Sequence, residues 1–423
     1  MVLSADNLRD KLHSLDIKSN ETIGVGVSGG ADSLALALLL SEHFNITALT
    51  VNHGLRTQAA AECKMVADLM ASLNIPHETL TWTGDVPTSN IQAGARELRY
   101  KLLSHWCQSN SVRLLAVAHH MDDQAETLML RLARGSGVYG LSAMSEYVAL
   151  RDDLTLIRPL LDYSSDQLKS YLTARSIQWI EDPSNENTDF ERIKVRKMLA
   201  NTDIEGLNPE RLSKTARQLR RSKDALDHYR DKWLRAHVSL DDGHILRLKS
   251  AAVHNDPQEI VLKGLTDILQ AISGAGYVPR LEKTQRLYDG IMDGTVRAST
   301  LHGVQIVQDQ NGDWLFWREA STMKSAPLTS AMVWENNHQL TCNGLGAGDY
   351  QVRALGKNGW ATLVQTYPAA KQTNIPVMAR ASLLSIWRGD DQLIYVPAVG
   401  FESGDSPNFS LEVLPRYPDW VKI

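Results

Sequence analysis

The stretch IGVGVSGGADSLALALLL, from Ile23 to Leu40, constrains this chain more than any other. β-Branched residues alternating with glycine read as a buried strand and the leucines that follow read as a helix, so two adjacent glycines turn the chain between them. A strand that ends in Gly29-Gly30 and opens a helix directs several backbone N–H groups at one point, and the first N–H groups of a helix have no partner inside it. The turn is read as a phosphate cradle. It is not a Walker loop, because no Lys-Ser or Lys-Thr pair follows the glycines, and the dinucleotide pattern G-x-G-x-x-G is not met cleanly either. Ser28, Asp32 and Ser33 put two hydroxyls and a carboxylate among the glycines. A carboxylate beside phosphates makes sense mainly where Mg²⁺ lies between them. The plain alternative is an ordinary strand-turn-helix in which Asp32 is a cap.

Apolar, β-branched segments at 22–28, 46–54, 77–82 and 114–120 alternate with helical patterns at 31–43, 57–73, 90–108 and 122–134. That alternation predicts βαβ units with right-handed crossovers and a parallel sheet covered on both faces, its ligand beyond the carboxyl ends of the strands. SGGADS, NHGLR and HHMDDQAET follow the first, second and fourth strands and so converge on that edge. Asp123 and Glu126 stand three apart, which puts them on one helix face near its N-terminus, where the dipole favours carboxylates. Taken singly, a first-turn aspartate is an ordinary cap and His119 or His120 an ordinary core histidine. Together with Asp32, however, three carboxylates beside a phosphate cradle call for a cation, either Mg²⁺ or the amino groups of a substrate. Downstream, RLARGSGVYGL brings Arg131, Arg134 and Gly135 to the mouth of the same site. Upstream, QAGARELRY offers Arg96 and Arg99, suited to clamping phosphate or to pairing with exposed acids.

With 43% hydrophobic and 22% charged residues the composition is that of a globular protein. The longest apolar run, Leu34 to Leu40, is too short to span a bilayer, and MVLSADNLRDKLHSL does not read as a signal peptide. A soluble, cytoplasmic protein with no membrane partner is expected. Cys63, Cys107 and Cys342 lie far apart, which leaves structural disulfides, a cysteine zinc site and an iron–sulfur cluster unsupported. The net charge of −5 argues against indiscriminate coating of nucleic acid. Locally, though, Arg192 to Lys223 holds ten Lys/Arg against three acids, a net +7 that suits either a solvated helix face or a nucleic-acid surface.

Beyond residue 160 the pattern changes to a capped amphipathic helix in SSDQLKSYLTARSI, a basic helix in FERIKVRKML, and helical stretches at 208–236, 256–274 and 281–293. From 328 onward, QLTCNGLGAGDYQVRAL, WATLVQTY, QLIYVPAVGF and NFSLEVLP read as short strands, with a helix at 379–388. The expected fold is α/β: a parallel-sheet nucleotide-binding catalytic domain over 1–205, a mainly helical domain over 206–327, and a small α+β domain over 328–423.

These motifs carry a resemblance. SGGADS matches the signature S-G-G-x-D-S of the PP-loop, or N-type, ATP pyrophosphatases. HHMDDQAETLMLRLARGSGVYGL, QAGARELRY, RPLL and EDPSNENTDFERIKVR resemble the tRNA(Ile)-lysidine synthetase branch of that superfamily and cover most of the first 200 residues. ARASLLSIWRGDDQLIYVPAVG carries a weaker likeness near the C-terminus. The chain departs from the pattern at Asn52, where Asp or His is frequent, at Ala143 in place of a Gly, and at Leu384 in place of a Pro.

The resemblance implies that the cytidine at the first anticodon position of an isoleucine tRNA with a CAU anticodon is converted to lysidine, with ATP and free L-lysine as co-substrates and a change of codon reading from AUG to AUA. It implies that Ser28, Gly29, Gly30, Ala31, Asp32 and Ser33 hold the pyrophosphate, with Val51, His53, His119 and Gly135 completing the nucleotide site and Asp32 binding Mg²⁺. Asp123 and Glu126 would hold the lysine ammonium or take its proton, and Arg96 or Arg99 would stabilise the transferred adenylyl group. Arg131, Arg134, Arg192, Arg196, Arg217, Arg220 and Arg221 would face the tRNA. A homodimer is left open. The alternatives are another PP-loop enzyme, either a tRNA thiolase, which would usually show the paired cysteines that are absent here, or an amide-forming synthetase, which as an amidotransferase would need a glutaminase domain with an N-terminal nucleophilic cysteine, and a non-catalytic nucleotide-sensing RNA-binding module.

Overall fold

The computed structural model describes residues 2–52, 59–82, 91–181, 191–344, 349–404 and 410–421. Its sheet is built around β1 (Thr22–Gly26), whose Ile23 and Val25 are fully buried, as a strand covered on both faces requires. Five parallel strands run in the order β3 (His77–Thr81), β2 (Asn45–Asn52), β1, β4 (Leu114–Ala116), β6 (Leu154–Ile157), and β5 (Tyr147–Arg151) returns antiparallel at the edge. Helices α1 (Ala5–His13), α2 (Ala31–Ser41), α3 (Ala59–Ser72), α4 (Ile91–Ser109), α5 (Met121–Ala133), α6 (Val138–Leu141), α7 (Ser165–Thr173) and α8 (Glu191–Ala200) complete this part. The alternation read from the sequence is present; β5 and β6 are additional. Strand order reverses between β1 and β4, and a crevice at such a switch point is where a doubly wound sheet binds its ligand.

α2 is apolar all round, with Leu34 through Leu40 buried, so it lies inside the domain with only its N-terminus at the crevice. On it packs α7, capped by Ser164, whose Oγ accepts the Gln167 N–H at 3.3 Å. Tyr171 of α7 donates its hydroxyl to Glu42 at 2.9 Å.

The chain divides into two compact units, Met1–Asp224 and Ala225–Ile423, and the division falls within the long helix α9 (Pro209–His237). In the second unit, the helices expected near 256–274 and 281–293 are α11 (Gln258–Ser273) and α12 (Leu281–Met292), preceded by the short α10 (Ser250–Asn255). Before and after them come the strands of an antiparallel sheet that the pattern reading did not place, in the order β7 (Val238–Asp241), β8 (Ile245–Leu248), β11 (Trp314–Arg318), β10 (Val304–Gln308), β9 (Ala298–Leu301). Trp233, Leu265, Trp314 and Phe316 form its core.

Two small sheets follow, and two local readings there are corrected. Residues 360–367, read as a strand, belong, up to the C-cap Tyr367, to the helix Gly356–Thr366, which buries Gly359 and Leu363 on one face. Residues 379–388, read as a helix, are a 3₁₀ turn at Val377–Ser382 followed by the strand Leu384–Arg388. No helix among the described residues is long and apolar enough to cross a membrane.

Candidate active site

The loop after β1 is held from inside and from behind. Inside, Ser33 Oγ accepts the Ser28 N–H at 3.1 Å and donates to the Gly30 carbonyl at 3.0 Å, so its hydroxyl is committed to shaping the turn. Behind, Ile180 donates its N–H to the Gly29 carbonyl at 2.9 Å. Gly29 has φ of +87°, and a Cβ there would lie 2.6 Å from Ile180 Cδ1, so only glycine suits this position. Gly30, the N-cap of α2, has no side chain to cap the helix, which leaves the first-turn N–H groups to an anion. They open on a cavity of about 530 Å³, lined by the loop, by Thr50 and Val51 of β2, Arg99 of α4 and His119 after β4. A pocket of that size and mixed lining suits a nucleotide.

Asp32 stands at the start of α2, and its carboxylate meets a cluster from α5 and α7. Ser165 donates its hydroxyl to Asp32 at 3.2 Å and its backbone N–H to Asp122 at 2.9 Å. His120 is buried between the acids: Nε2 lies 3.5 Å from Asp32 and 3.6 Å from Asp123, and Nδ1 lies 3.2 Å from Asp122 but off the line of a hydrogen bond. Burial alone would lower the pKa of this ring, but the surrounding carboxylates outweigh it and push it up to about 10, so it is an imidazolium at neutral pH. Burial likewise opposes ionisation of Asp123, yet the charges of His120 and Arg192 hold its pKa below the usual carboxylate range.

Glu126, one turn on, is 1% exposed and accepts the Nε–H groups of Arg192 at 2.5 Å and Arg196 at 2.6 Å; Arg192 also reaches Asp123 at 2.7 Å. The carboxylates were expected to need Mg²⁺ or a substrate amine between them. The chain itself supplies three cations, His120, Arg192 and Arg196. Among the described residues no group of three or more His, Cys, Asp and Glu is arranged as a metal site.

The remaining candidates are distributed unevenly. Ala31 is buried at the start of α2. Arg99 lines the cavity and burial lowers its pKa, whereas Arg96 is exposed, 5.3 Å from the centre of the Tyr100 ring. His119 accepts a hydrogen bond from Arg158 Nε at 3.2 Å, and burial, reinforced by Arg158, Arg96 and Arg192 against Asp123, pushes its pKa down to about 3. Arg131 donates to the carbonyls of Gly140 and Ala143 at 2.7 and 3.0 Å, and Arg220 to those of Ser142 and Ala143 at 2.7 and 3.1 Å, so both tie down the loop after α5. Arg217 pairs with Asp162 at 2.7 Å, an acid that Lys11 shares.

Arg221 lines a second groove, of about 520 Å³, together with Lys214, Arg217 and Arg220. Arg134 and Gly135, just past α5, are exposed, with Gly135 at φ of +71°. His53 lies outside the described residues, as do 182–190 of the EDPSNENTDFERIKVR motif. Sequence reasoning did not single out Ser165, Arg158 or Ile180. Their signals were RPLL for Arg158 and, for Ile180, adjacency to EDPSNEN.

The model of the PP-loop domain family matches residues 4–203. The tRNA(Ile)-lysidine synthase of Ruegeria pomeroyi is 37% identical over 387 residues, covering 90% of each chain. That of Wolbachia pipientis wMel is 35% identical over 77% of this chain and 78% of the relative, and that of Bradyrhizobium diazoefficiens is 37% identical over 62% and 75%.

Proposed function

This chain belongs to the tRNA(Ile)-lysidine synthase family of PP-loop ligases, and on that premise we propose that it joins the ε-amine of free L-lysine to carbon 2 of the cytidine at the first anticodon position of an isoleucine tRNA with a CAU anticodon. The observation that carries the reading is the crevice between β1 and β4: an uncapped helix N-terminus for an anion on one side, a charged carboxylate cluster for a cation on the other.

Carbon 2 of cytosine is a poor electrophile until its oxygen becomes a leaving group. In the proposed first step that oxygen attacks the α-phosphate of ATP and pyrophosphate departs into the N–H groups at Gly30–Ser33, the hydroxyl of Ser28 beside them. Arg99, which lines the cavity, would stabilise charge developing on the adenylyl group. In the second step the ε-amine forms the C–N bond, the C–O bond breaks, AMP leaves with the oxygen, and a proton passes to Asp123 or Glu126. The arriving ammonium meets those two carboxylates, and Arg192 and Arg196, both partly exposed, turn toward RNA phosphates.

Asp32, whose carboxylate lines the cavity, would hold Mg²⁺ there, a single protein carboxylate being a common way of binding that ion beside nucleotides; the ion would supply charge neutralisation for the leaving pyrophosphate. The product reads AUA in place of AUG. We assign catalysis to residues 1–205 and tRNA binding to 206–327 and 328–423. The test is nucleoside analysis of that tRNA after incubation with ATP, Mg²⁺ and labelled lysine. Labelled lysidine in equal amount to AMP and pyrophosphate is expected; pyrophosphate release with no labelled nucleoside would overturn the reading.

A further inference from the structure

Arg158, the first residue of RPLL after β6, is buried, and among the described residues no carboxylate pairs with it. Its donors go to neutral acceptors: Nη1 to the Ser145 carbonyl at 2.7 Å and Nε to His119 Nδ1 at 3.2 Å. A guanidinium only donates and does not lose its proton in proteins. The ring nitrogen facing it must therefore offer a lone pair, which places the single proton of a neutral His119 on Nε2. A second proton would set an Nδ1–H against the Nε–H of Arg158. The charged groups around the ring oppose it as well, since Asp123 of α5 stands against Arg158, Arg96 of α4 and Arg192 of α8. His119 lines the nucleotide cavity.

We propose that Arg158 is a positioning residue that fixes His119 as a neutral ring with its proton on Nε2, a hydrogen-bond donor to an anionic oxygen of the bound triphosphate and not a base. The identity of that oxygen rests on the nucleotide reading given above; the state of the ring does not. One consequence is that the proton of the lysine ammonium goes to a carboxylate, because His119 has no free lone pair to take it.

The ring is read directly by two-bond ¹H–¹⁵N correlation on the full chain with ¹⁵N-labelled histidine, the His119 signals being those lost in His119→Phe. From pH 5 to 8 the ring is expected to stay neutral with its proton on Nε2. A proton on Nδ1, or titration within that range, overturns the proposal. Kinetics test the coupling. His119→Phe is expected to lower kcat for pyrophosphate release by about 10²–10³, the range for loss of one preorganised donor, with a smaller change in KM for ATP.

Arg158→Met is expected to lower kcat roughly tenfold or more, to add an acid limb near the ordinary histidine value of about 6.5, and to slow the His119→Phe enzyme no further. Additive slowing in the double variant shows that Arg158 acts through the fold at large and overturns the proposal. Should Arg158→Met fail to fold, the wild-type ring spectrum decides alone. A ring protonated on Nε2 in a chain that makes no lysidine removes the functional reading and leaves the Arg158–His119 arrangement standing. Full lysidine activity with the proton on Nδ1 removes only this proposal.

Discussion

Glu126→Gln tests how the carboxylate cluster is balanced. The side chain is 1% exposed and accepts one Nε–H on each oxygen, from Arg192 and Arg196. The amide keeps one acceptor and replaces the other with an NH₂ group, so one guanidinium is left facing a donor. Removing one partner of a buried ion pair costs about 3–5 kcal/mol. Here the arginine side chains are 37% and 45% exposed and regain water when released, which puts the cost nearer about 2–3 kcal/mol. A domain of this size loses roughly 2–4 °C in Tm per kcal/mol, so the expected drop is roughly 4–12 °C. The assay is thermal unfolding of the full chain, followed on the transition that ATP raises, since a ligand stabilises the unit that binds it. With tRNA present, KM for lysine is expected to rise while affinity for ATP holds. A Tm unchanged from wild type would refute the energetic reasoning. Loss of ATP affinity with unchanged lysine dependence would move both carboxylates to the nucleotide side.

Gly29→Ala adds a Cβ at positive φ against Ile180 and is expected to cost about 1–3 kcal/mol and most of the turnover; Ile180→Ala in the same chain should recover part of the stability and little of the activity, and wild-type turnover in the single variant would contradict the loop geometry. Arg221→Ala is expected to weaken tRNA binding and flatten its salt dependence by about one unit of slope with Tm unchanged, whereas Arg220→Ala should also lower Tm because the Ser142 carbonyl loses the arginine donor and the Ala143 carbonyl keeps only that of Arg131. Equal effects of both on Tm would count against the distinction. In the second unit, the His244 ring lies tilted against that of His338 with ring centres 4.1 Å apart, and burial pushes the pKa of His244 down to about 4. A ring held neutral in the fold but free to protonate when unfolded loses its stability contribution as pH falls from about 6.5 toward 4, a loss on the order of 3 kcal/mol. His244→Asn, which tolerates the positive φ of 60° at this position, should flatten the acid limb of denaturant-unfolding stability; an unchanged limb would exclude this ring as its source.

What could be read in advance followed the range of the interactions involved. β1, α2 and their neighbours were legible because each is a periodic segment bounded by glycine or polar turns, and Leu34–Leu40 admits no exposed face. Leu384 to Trp387 are all buried in the strand, so LLSIWR carries none of the in–out alternation by which a sequence tells a strand from a helix. WATLVQTY failed in the opposite sense: its β-branched and aromatic residues favour a strand, but the helix is held by Gly359 and Leu363 against neighbours far along the chain. The strands from Val238 to Arg318 are four or five residues long, too short for any period to show. At the site, Asp32, Asp123 and Glu126 announced themselves by spacing. That Glu126 is neutralised by Arg192 and Arg196, 66 and 70 residues later, is a tertiary fact with no local trace, and the same is true of Arg158 beneath His119.

The hydrogen bond from Ile180 to Gly29 also sets a schedule for synthesis. β1 and α2 leave the ribosome ahead of Ile180, and the backing of their loop comes about 150 residues later. At roughly 5–20 residues per second that is a delay on the order of ten seconds. β4, the partner of β1 on the far side of the crevice, arrives in between. For that interval the nascent chain carries the glycine turn without the residue that braces it, so a chain arrested before Ile180 is expected not to retain nucleotide, and retention by such a chain would show that the loop sets without its brace.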